Sequence, residues 1–390
     1  MSRYHSYLAS ATKLVDTYRK GTPLAYHLKQ FFSGDKKYGS RDRKAIGSMC
    51  YHYFRVARAL GNACPTAGKI VYALFLCEHK PNDCLQVLGP ELNEQVSLPV
   101  KSKFELLNIP LSGLFPFTDE LGEGIDKELF SVSFLQQPLV FVRIRPGRRD
   151  VVIAGLKAAG MPFESAGEHC LKVPGSSALD KVVRMNKDIV VQDLNSQKVF
   201  DYLAGHADGA GLQTPVTIWD CCAASGGKSI LLYDILKGKV KLTVSDIREN
   251  ILSNLQKRLQ QAGVAIYKRF TADLSKQSGL LAEEKFSIII CDVPCTGSGT
   301  WSRNPEQLYS FDRAQILSFH NRQQQIVSNA IPHMEEKALL FYITCSVFKM
   351  ENEAVVGFIK EKFHLQLLQM EYLKGYEHAA DTMFVAVFKK

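Results

Sequence analysis

Asp220-Cys221-Cys222-Ala223-Ala224-Ser225-Gly226-Gly227-Lys228-Ser229 follows directly on Val216-Thr217-Ile218-Trp219. A short apolar run that ends in an acid, then in a turn of small residues, reads as a strand feeding a helix. Small residues in such a turn let backbone N–H groups approach a ligand closely. Gly227-Lys228-Ser229 invites comparison with a phosphate loop, but that motif needs a glycine five residues before Gly227, where Cys222 stands. A nucleoside triphosphatase is excluded on that ground. Downstream the alternation repeats, with strands read at 241–246 (KLTVSD), 267–273 (YKRFTAD), 286–295 (FSIIICDVPC) and 338–346 (ALLFYITCS). Strands alternating with helices predict an α/β fold, a Rossmann-like doubly wound sheet.

Ligands of such sheets bind outside the carboxyl ends of the strands. Asp246 closes the second strand about 20 residues past Gly227, a spacing at which an acid accepts the hydroxyls of a ribose. Asp273 closes the third and is available to an adenine amino group. Ordinary strand-end caps are the alternative reading. The fourth and fifth strands add Asp292 with Cys295, and then Thr344-Cys345-Ser346, at the same edge. Taken singly, a cysteine is more often a small buried hydrophobe. Two of them beside a ligand-binding turn favour chemistry instead, because a thiolate can add to carbon 6 of a pyrimidine and so activate carbon 5. Cys221, Cys222 and Cys291 lie within or next to strands and read as core, with Cys222 also opening the ligand turn.

Upstream the pattern changes twice. To about residue 125 apolar residues recur at three- and four-residue spacing, as in Ile46, Met49, Cys50, Tyr53 and Phe54, which predicts a helical domain over 1–125. Ser40 with Arg41-Asp42-Arg43-Lys44 looks like a capped helix start, and the Gly- and Pro-rich stretch 110–124 looks like a linker. From Pro138, Val140, Val142 and Ile144 alternate with Phe141, Arg143 and Arg145, which opens a small α+β module over 130–205; the sheet domain then covers 206–390. The cluster Arg143, Arg145, Arg148 and Arg149 suits backbone phosphates.

The 390 residues are 46% hydrophobic and 22% charged, a globular balance, with a formal net charge of +9. Residues 1–60 carry twelve basic and three acidic side chains, so the whole excess sits at that end. A one-ended basic field points to an anionic partner such as nucleic acid, against the plainer reading of a solvated face. No apolar run reaches the ~20 residues of a membrane span, and the first twenty residues lack an apolar core of secretory type. The ten cysteines therefore read as reduced thiols of a cytoplasmic protein, and without C-x-x-C spacing no structural metal site is expected.

DCCAASGGKS (220–229), Asp246, Asp273, DVPCTGSGTWSRNPE (292–306) and YITCSVFKMENE (342–353) together resemble the RsmB/Nop2/Sun family of RNA cytosine-5 methyltransferases, which use S-adenosyl-L-methionine. The family turn reads D-x-C-A-A-P-G-G-K-T, so Ser225 and Ser229 replace a proline and a threonine, and a turn lacking that proline is less preorganised. Its fourth-strand motif is D-A-P-C-S-G-x-G, from which Val293 and Thr296 depart; Glu336-Lys337 replaces its Gly-Gly before the last motif. The segment 190–197 (VVQDLNSQ) is similar to the family's V-Q-D-x-x-S-Q, and Gly39–Arg43 with Tyr51–Arg55 resembles the NusB-like domain of RsmB-type members.

The resemblance implies that Cys345 is the nucleophile toward carbon 6 of cytosine, that Cys295 serves proton loss and release, and that Asp292 meets the ring nitrogen and 4-amino edge. Lys228 would face the cofactor or the base, with a solvated first-turn lysine as the alternative. Cys222, Ala223, Ala224, Ser225, Gly226, Gly227, Lys228 and Asp292 would border the cofactor, with Asp246 and Arg248 at the ribose and Asp273 at the adenine. Glu351 and Glu353 read as structural, in a first helical turn. The expected partner is RNA, ribosomal RNA foremost, with no membrane, metal or oligomer required. A DNA cytosine-5 methyltransferase is the rival enzyme, disfavoured by the second cysteine at 345. A non-catalytic RNA-binding assembly factor is the rival of another class.

Overall fold

The computed structural model describes residues 2–34, 37–62, 64–175, 178–206, 213–276 and 284–390. The chain forms two compact units: Met1–Leu121, Asp126–Gln137 and Thr300–Arg313 make the first; Gly122–Ile125, Pro138–Gly299 and Ala314–Lys390 make the second. No helix among the described residues is long and apolar enough to cross a membrane.

The first unit is helical, as the spacing of its apolar residues requires. Helices over Arg3–Asp16, Leu24–Ser33, Ser40–Leu60 and Thr66–Cys77 bury Leu14, Leu28, Ile46, Phe54 and Phe75 in one core. The Ser40 helix begins where expected, with the Asp42 carboxylate accepting the Gly39 N–H at 2.8 Å. Two basic side chains of that helix turn inward. Arg55 is buried and donates to the carbonyls of Phe134 and Gln136 at 2.8 and 3.0 Å, while Arg58 donates to the Leu308 carbonyl at 2.6 Å and covers the Phe117 ring. Part of the N-terminal charge is therefore internal scaffolding and not a face for a partner. The stretch 110–124, expected as a linker, belongs up to Leu121 to the helical unit, where Leu114 and Phe115 are fully buried and Phe115 stacks on Phe134 with ring centroids 5.5 Å apart; the division between the units falls after Leu121. Its Gly and Pro residues make turns, which composition cannot distinguish from exposure. Segment 300–313 belongs to this unit through Trp301, buried beside Phe115 and Phe311, and through Glu306, which accepts the Leu24 N–H at 3.0 Å.

The second unit carries two sheets. The smaller is antiparallel, in the order β2 (Glu164–Ser165), β3 (Cys170–Val173), β1 (Val140–Ile144), β4 (Ile189–Val191), backed by the helix Arg149–Ala158. The larger has seven strands: β5 (Val216–Asp220), β6 (Val240–Asp246), β7 (Lys268–Thr271), β8 (Phe286–Asp292), β9 (Met334–Thr344), β10 (Gln366–Leu373) and β11 (Met383–Lys389). Their order is β10-β11-β9-β8-β5-β6-β7; the five from β5 to β9 are parallel neighbours, and β11 and β10 close one side antiparallel. The order reverses beside β5, so a crevice opens where the chain leaves β5 and β8 in opposite directions. Both faces are covered. Ile218, Val244, Ile288, Ile290 and Ile343 pack on one side, and Trp219, Ile289, Leu340, Tyr342 and Phe384 on the other. Central parallel strands covered on both faces read as unbroken apolar runs, which is how FSIIIC reads.

The small sheet does not stand apart. Arg143 and Arg145, expected at a phosphate surface, are instead buried and pair with Asp234 of the helix Gly227–Ile235 at 2.6 and 2.7 Å. Arg148 lies 3.8 Å from Asp188, and Arg149 donates to the Glu168 carbonyl. On an alternating strand the two arginines point the same way, and here that way is inward. Asn195 adds bonds to the Leu373 and Asp381 carbonyls at 3.0 and 2.8 Å. The junction expected at 205/206 falls within the helix Asp201–His206.

Candidate active site

The turn after β5 is built by its own backbone and its neighbours. Ala224 and Gly226 both take positive φ, 44° and 77°. At Gly226 a Cβ would lie 3.3 Å from Leu255 of the helix Glu249–Ala262, so glycine serves close packing there. The Ala224 N–H donates to Asp246 Oδ2 at 3.0 Å, and the Gly226 N–H to the Ala223 carbonyl at 2.8 Å. Both amides are thus bonded inside the protein, one to the end of β6 and one within the turn. Arg258 donates to the Ser225 carbonyl and hydroxyl at 3.1 and 2.8 Å. That pair of bonds supplies the order that proline would otherwise impose.

A cleft of about 450 Å³ lies against this turn, within the range of small-molecule sites. Cys222, Ala224, Asp246, Arg248, Asp273, Asp292, Cys295 and Cys345 line it together. Ala223, Ser225, Gly226, Gly227 and Lys228 lie outside the lining. Asp246 is buried, and its Oδ1 accepts from the Arg248 N–H and Nε, each at 3.0 Å. Asp273 accepts from the Ser275 hydroxyl at 2.6 Å and its N–H at 3.1 Å, and these bonds hold its carboxyl below the usual range. Lys228 reaches the cleft through Asp292, with Nζ 2.6 Å from Oδ2. Burial opposes the charge on that lysine, but Asp292 beside it raises its pKa above the ordinary value, so the lysine stays charged.

Cys295 and Cys345 come from the ends of β8 and β9, yet their sulfurs lie 3.4 Å apart. The neighbouring Cys345 thiol and burial push the Cys295 thiol far up. Cys221 and Cys291 form a second close pair, buried in the sheet, in keeping with their reading as core.

Glu351 differs from its reading. The helix that follows begins only at Glu353, and Glu351 is fully buried behind the cysteine loops. It accepts from the Thr296 N–H (2.9 Å), the Thr296 hydroxyl (2.5 Å), the Ser346 hydroxyl (2.6 Å) and Gln323 Nε2 (2.9 Å). Burial raises its carboxyl pKa, and the Ser346 and Thr296 bonds oppose that rise.

The sequence reading missed several walls of the cleft: Ile247, Leu274, Val293, Pro294, Arg322 and Ile326. The first four adjoin the strand-end acids and were open to inference from position alone. Arg322 and Ile326 sit one turn apart on the helix Ala314–Ala330, where no local signal marks them.

A family model described as 16S rRNA methyltransferase RsmB/F matches residues 211–388. The matched stretch, somewhat under half of the chain, is thus similar to the RsmB/F methyltransferases. A probable ribosomal RNA small subunit methyltransferase B of Bacillus subtilis is 28% identical over 177 residues, 45% of this chain and 38% of that protein. A tRNA (cytosine(34)-C(5))-methyltransferase of Drosophila melanogaster is 30% identical over 155 residues, 36% of this chain and 21% of that one. The chain therefore spans well under half the length of either relative. The crystal structure of PH0851 shares the fold across 98% of this chain and 97% of its own, with a TM-score of 0.71 at 20% identity. The matched region holds both cysteines, Lys228 and the strand-end acids Asp246, Asp273 and Asp292 of the cleft.

Proposed function

We propose that the protein is an S-adenosyl-L-methionine-dependent methyltransferase acting on carbon 5 of a cytosine in RNA, with ribosomal RNA as the substrate. The observation that carries this reading is the pair of thiols brought from two strand ends to one wall of a cleft that also holds Asp246 and Asp273. The donor set fits the cofactor: two carboxylates for ribose hydroxyls and an adenine amino group, with Ile247, Leu274, Pro294 and Ile326 as apolar walls for a flat ring. The names of the family model and the Bacillus relative support ribosomal RNA; the Drosophila relative acts on tRNA.

In this reading Cys345 sulfur bonds to carbon 6 of the cytosine, and the electron pair of the C5–C6 double bond moves onto carbon 5. Asp292, held by Lys228, meets the ring nitrogen and amino edge: its carboxyl accepts from the 4-amino group and, when it carries a proton, donates that proton to the ring nitrogen as negative charge builds there. When bound, S-adenosyl-L-methionine supplies the methyl group that carbon 5 receives. The carbon-5 proton then leaves on the Cys295 side, the double bond re-forms, and Cys345 departs with the electrons of the S–C6 bond. In the helical unit Arg41, Arg43 and Lys44 are exposed and suit backbone phosphates, unlike Arg55 and Arg58.

The test is to incubate the protein with total RNA and labelled cofactor, map 5-methylcytosine, and compare two variants. Cys345→Ala should lose methyl transfer and form no covalent complex. Cys295→Ala should accumulate a protein–RNA adduct that survives denaturing electrophoresis. An adduct in Cys345→Ala and none in Cys295→Ala would favour the DNA-type assignment of roles. Wild-type protein that binds no cofactor and marks no RNA would leave the assembly-factor reading.

A further inference from the structure

The charged groups on the cleft wall are three carboxylates and two cations. Each carboxylate has a cation of its own: Asp246 holds Arg248 at 3.0 Å, Asp273 has Lys276 at 3.4 Å, and Asp292 has Lys228 at 2.6 Å. Arg322 is the charge left over. It is exposed, and among the described residues its side chain makes no hydrogen bond or ion pair. Its neighbours on the helix Ala314–Ala330 fix where it stands. Gln323 donates to the Pro294 carbonyl at 3.0 Å, and Ile326 is buried in one cluster with Leu274 and Val293. The guanidinium therefore rises from the helix that flanks the loop carrying Cys295.

We propose that Arg322 is a substrate-binding residue that grips a phosphate flanking the target cytosine and so holds the nucleotide while its base meets Cys345. The inference rests on the proposed reaction, which makes a nucleotide of RNA the second ligand of the cleft. The cofactor does not call for this side chain. S-adenosyl-L-methionine carries a sulfonium and an ammonium against one carboxylate, so it brings net positive charge to a wall whose carboxylates are already balanced. A further cation at that wall answers an anion, and the RNA backbone is the anionic component of the reaction. A cytosine that enters to reach Cys345 brings its flanking phosphates to the mouth of the cleft, where an exposed arginine can meet them. The planar guanidinium fork matches two phosphate oxygens at once. Because Arg322 is exposed and unbonded, its removal tests binding without disturbing the fold.

The experiment measures binding of the full chain to a short fluorescent uridine-rich oligoribonucleotide with a single cytosine. S-adenosyl-L-homocysteine is present, so that no methyl transfer intervenes. Arg322→Ala should weaken binding by roughly tenfold and lower the slope of log affinity against log salt by about 0.7. Arg322→Lys should keep that slope and recover part of the affinity, since it keeps the charge and loses the fork. Replacing one of the two flanking phosphates by an uncharged methylphosphonate should weaken wild-type binding to the same extent and add nothing to the loss in Arg322→Ala. Calorimetric titration of S-adenosyl-L-methionine should give one affinity for wild type and both variants. Unchanged RNA binding in Arg322→Ala overturns the inference and leaves a solvated arginine. So does a loss of cofactor affinity without a loss of RNA affinity, which would assign Arg322 to the cofactor carboxylate. Binding is read without turnover, so a protein that shows the coupled loss yet methylates no RNA defeats the proposed function and not this contact.

Discussion

Gly299 is the position where one added methyl group should do the most damage to the reaction for the least damage to the fold. A Cβ built there would stand 2.0 Å from the Thr382 carbonyl oxygen and 3.0 Å from that of Cys345. Both obstacles are backbone, on residues tied to Gly299: its N–H donates to the Cys345 carbonyl, and its own carbonyl accepts the Thr382 N–H, each at 2.9 Å. No side chain can rotate away. The strand entering at Met383 and the loop carrying Cys345 must separate, by about 1 Å or more, and a misplacement of that size at reacting groups costs on the order of 100-fold in rate. The overpacking itself costs roughly 1–3 kcal/mol, a melting shift of a few degrees in a unit of this size. Gly299 does not line the cleft, so cofactor affinity should hold. The assay is methyl transfer to RNA by Gly299→Ala, alongside calorimetric titration of S-adenosyl-L-methionine and thermal unfolding. Turnover within about threefold of wild type in a folded, cofactor-binding variant, against the on-the-order-of-100-fold loss expected, would refute the claim that this backbone contact sets the position of Cys345.

Two further outcomes follow from buried charges. Asp234→Ala leaves Arg143 and Arg145 buried without their shared carboxylate, and losing one partner of a buried pair costs about 3–5 kcal/mol; urea unfolding should show that loss, and a change below about 1 kcal/mol would mean water replaces the carboxylate. Asp220, fully buried with one oxygen unpartnered, is pushed by burial up to about 7 from 3.8. Between those values the folded chain holds a proton that the unfolded chain has lost, so stability falls as pH rises through that window. Asp220→Asn should therefore gain melting temperature relative to wild type from pH 5 to pH 8, and parallel curves would show that Asp220 does not titrate there.

What was legible in the sequence was what a periodic pattern or a strand end encodes. The runs at 216–220, 241–246 and 286–292 announced buried parallel strands, and Asp246 and Asp292, which close the last two, stand in one cleft because a parallel sheet aligns its carboxyl ends, while Asp220 at the end of the first is buried. The inward turn of Arg143 and Arg145 was not legible, because its cause is Asp234, distant in sequence. Glu351 failed for a similar reason. Two residues from a helix start it passes for a first-turn acid, and only the return of β8 and β9 beside each other gives it four donors. The stretch 110–124 has a linker's composition, yet it buries Leu114, Phe115, Phe117 and Leu121.

The helical unit also takes in Thr300–Arg313, which follows within five residues of Cys295. A ribosome delivers Gln137 long before it delivers Trp301, Glu306 and Phe311. At about 5–20 residues per second the interval lasts on the order of tens of seconds. Throughout it the Leu24 N–H lacks Glu306 and Arg58 lacks the Leu308 carbonyl. The amino-terminal third is thus synthesised first but finished late, and a truncation at residue 206 in either direction would remove a piece that its neighbour needs. Shuffling this unit between proteins as a cassette is closed to evolution and to the bench unless both stretches travel together.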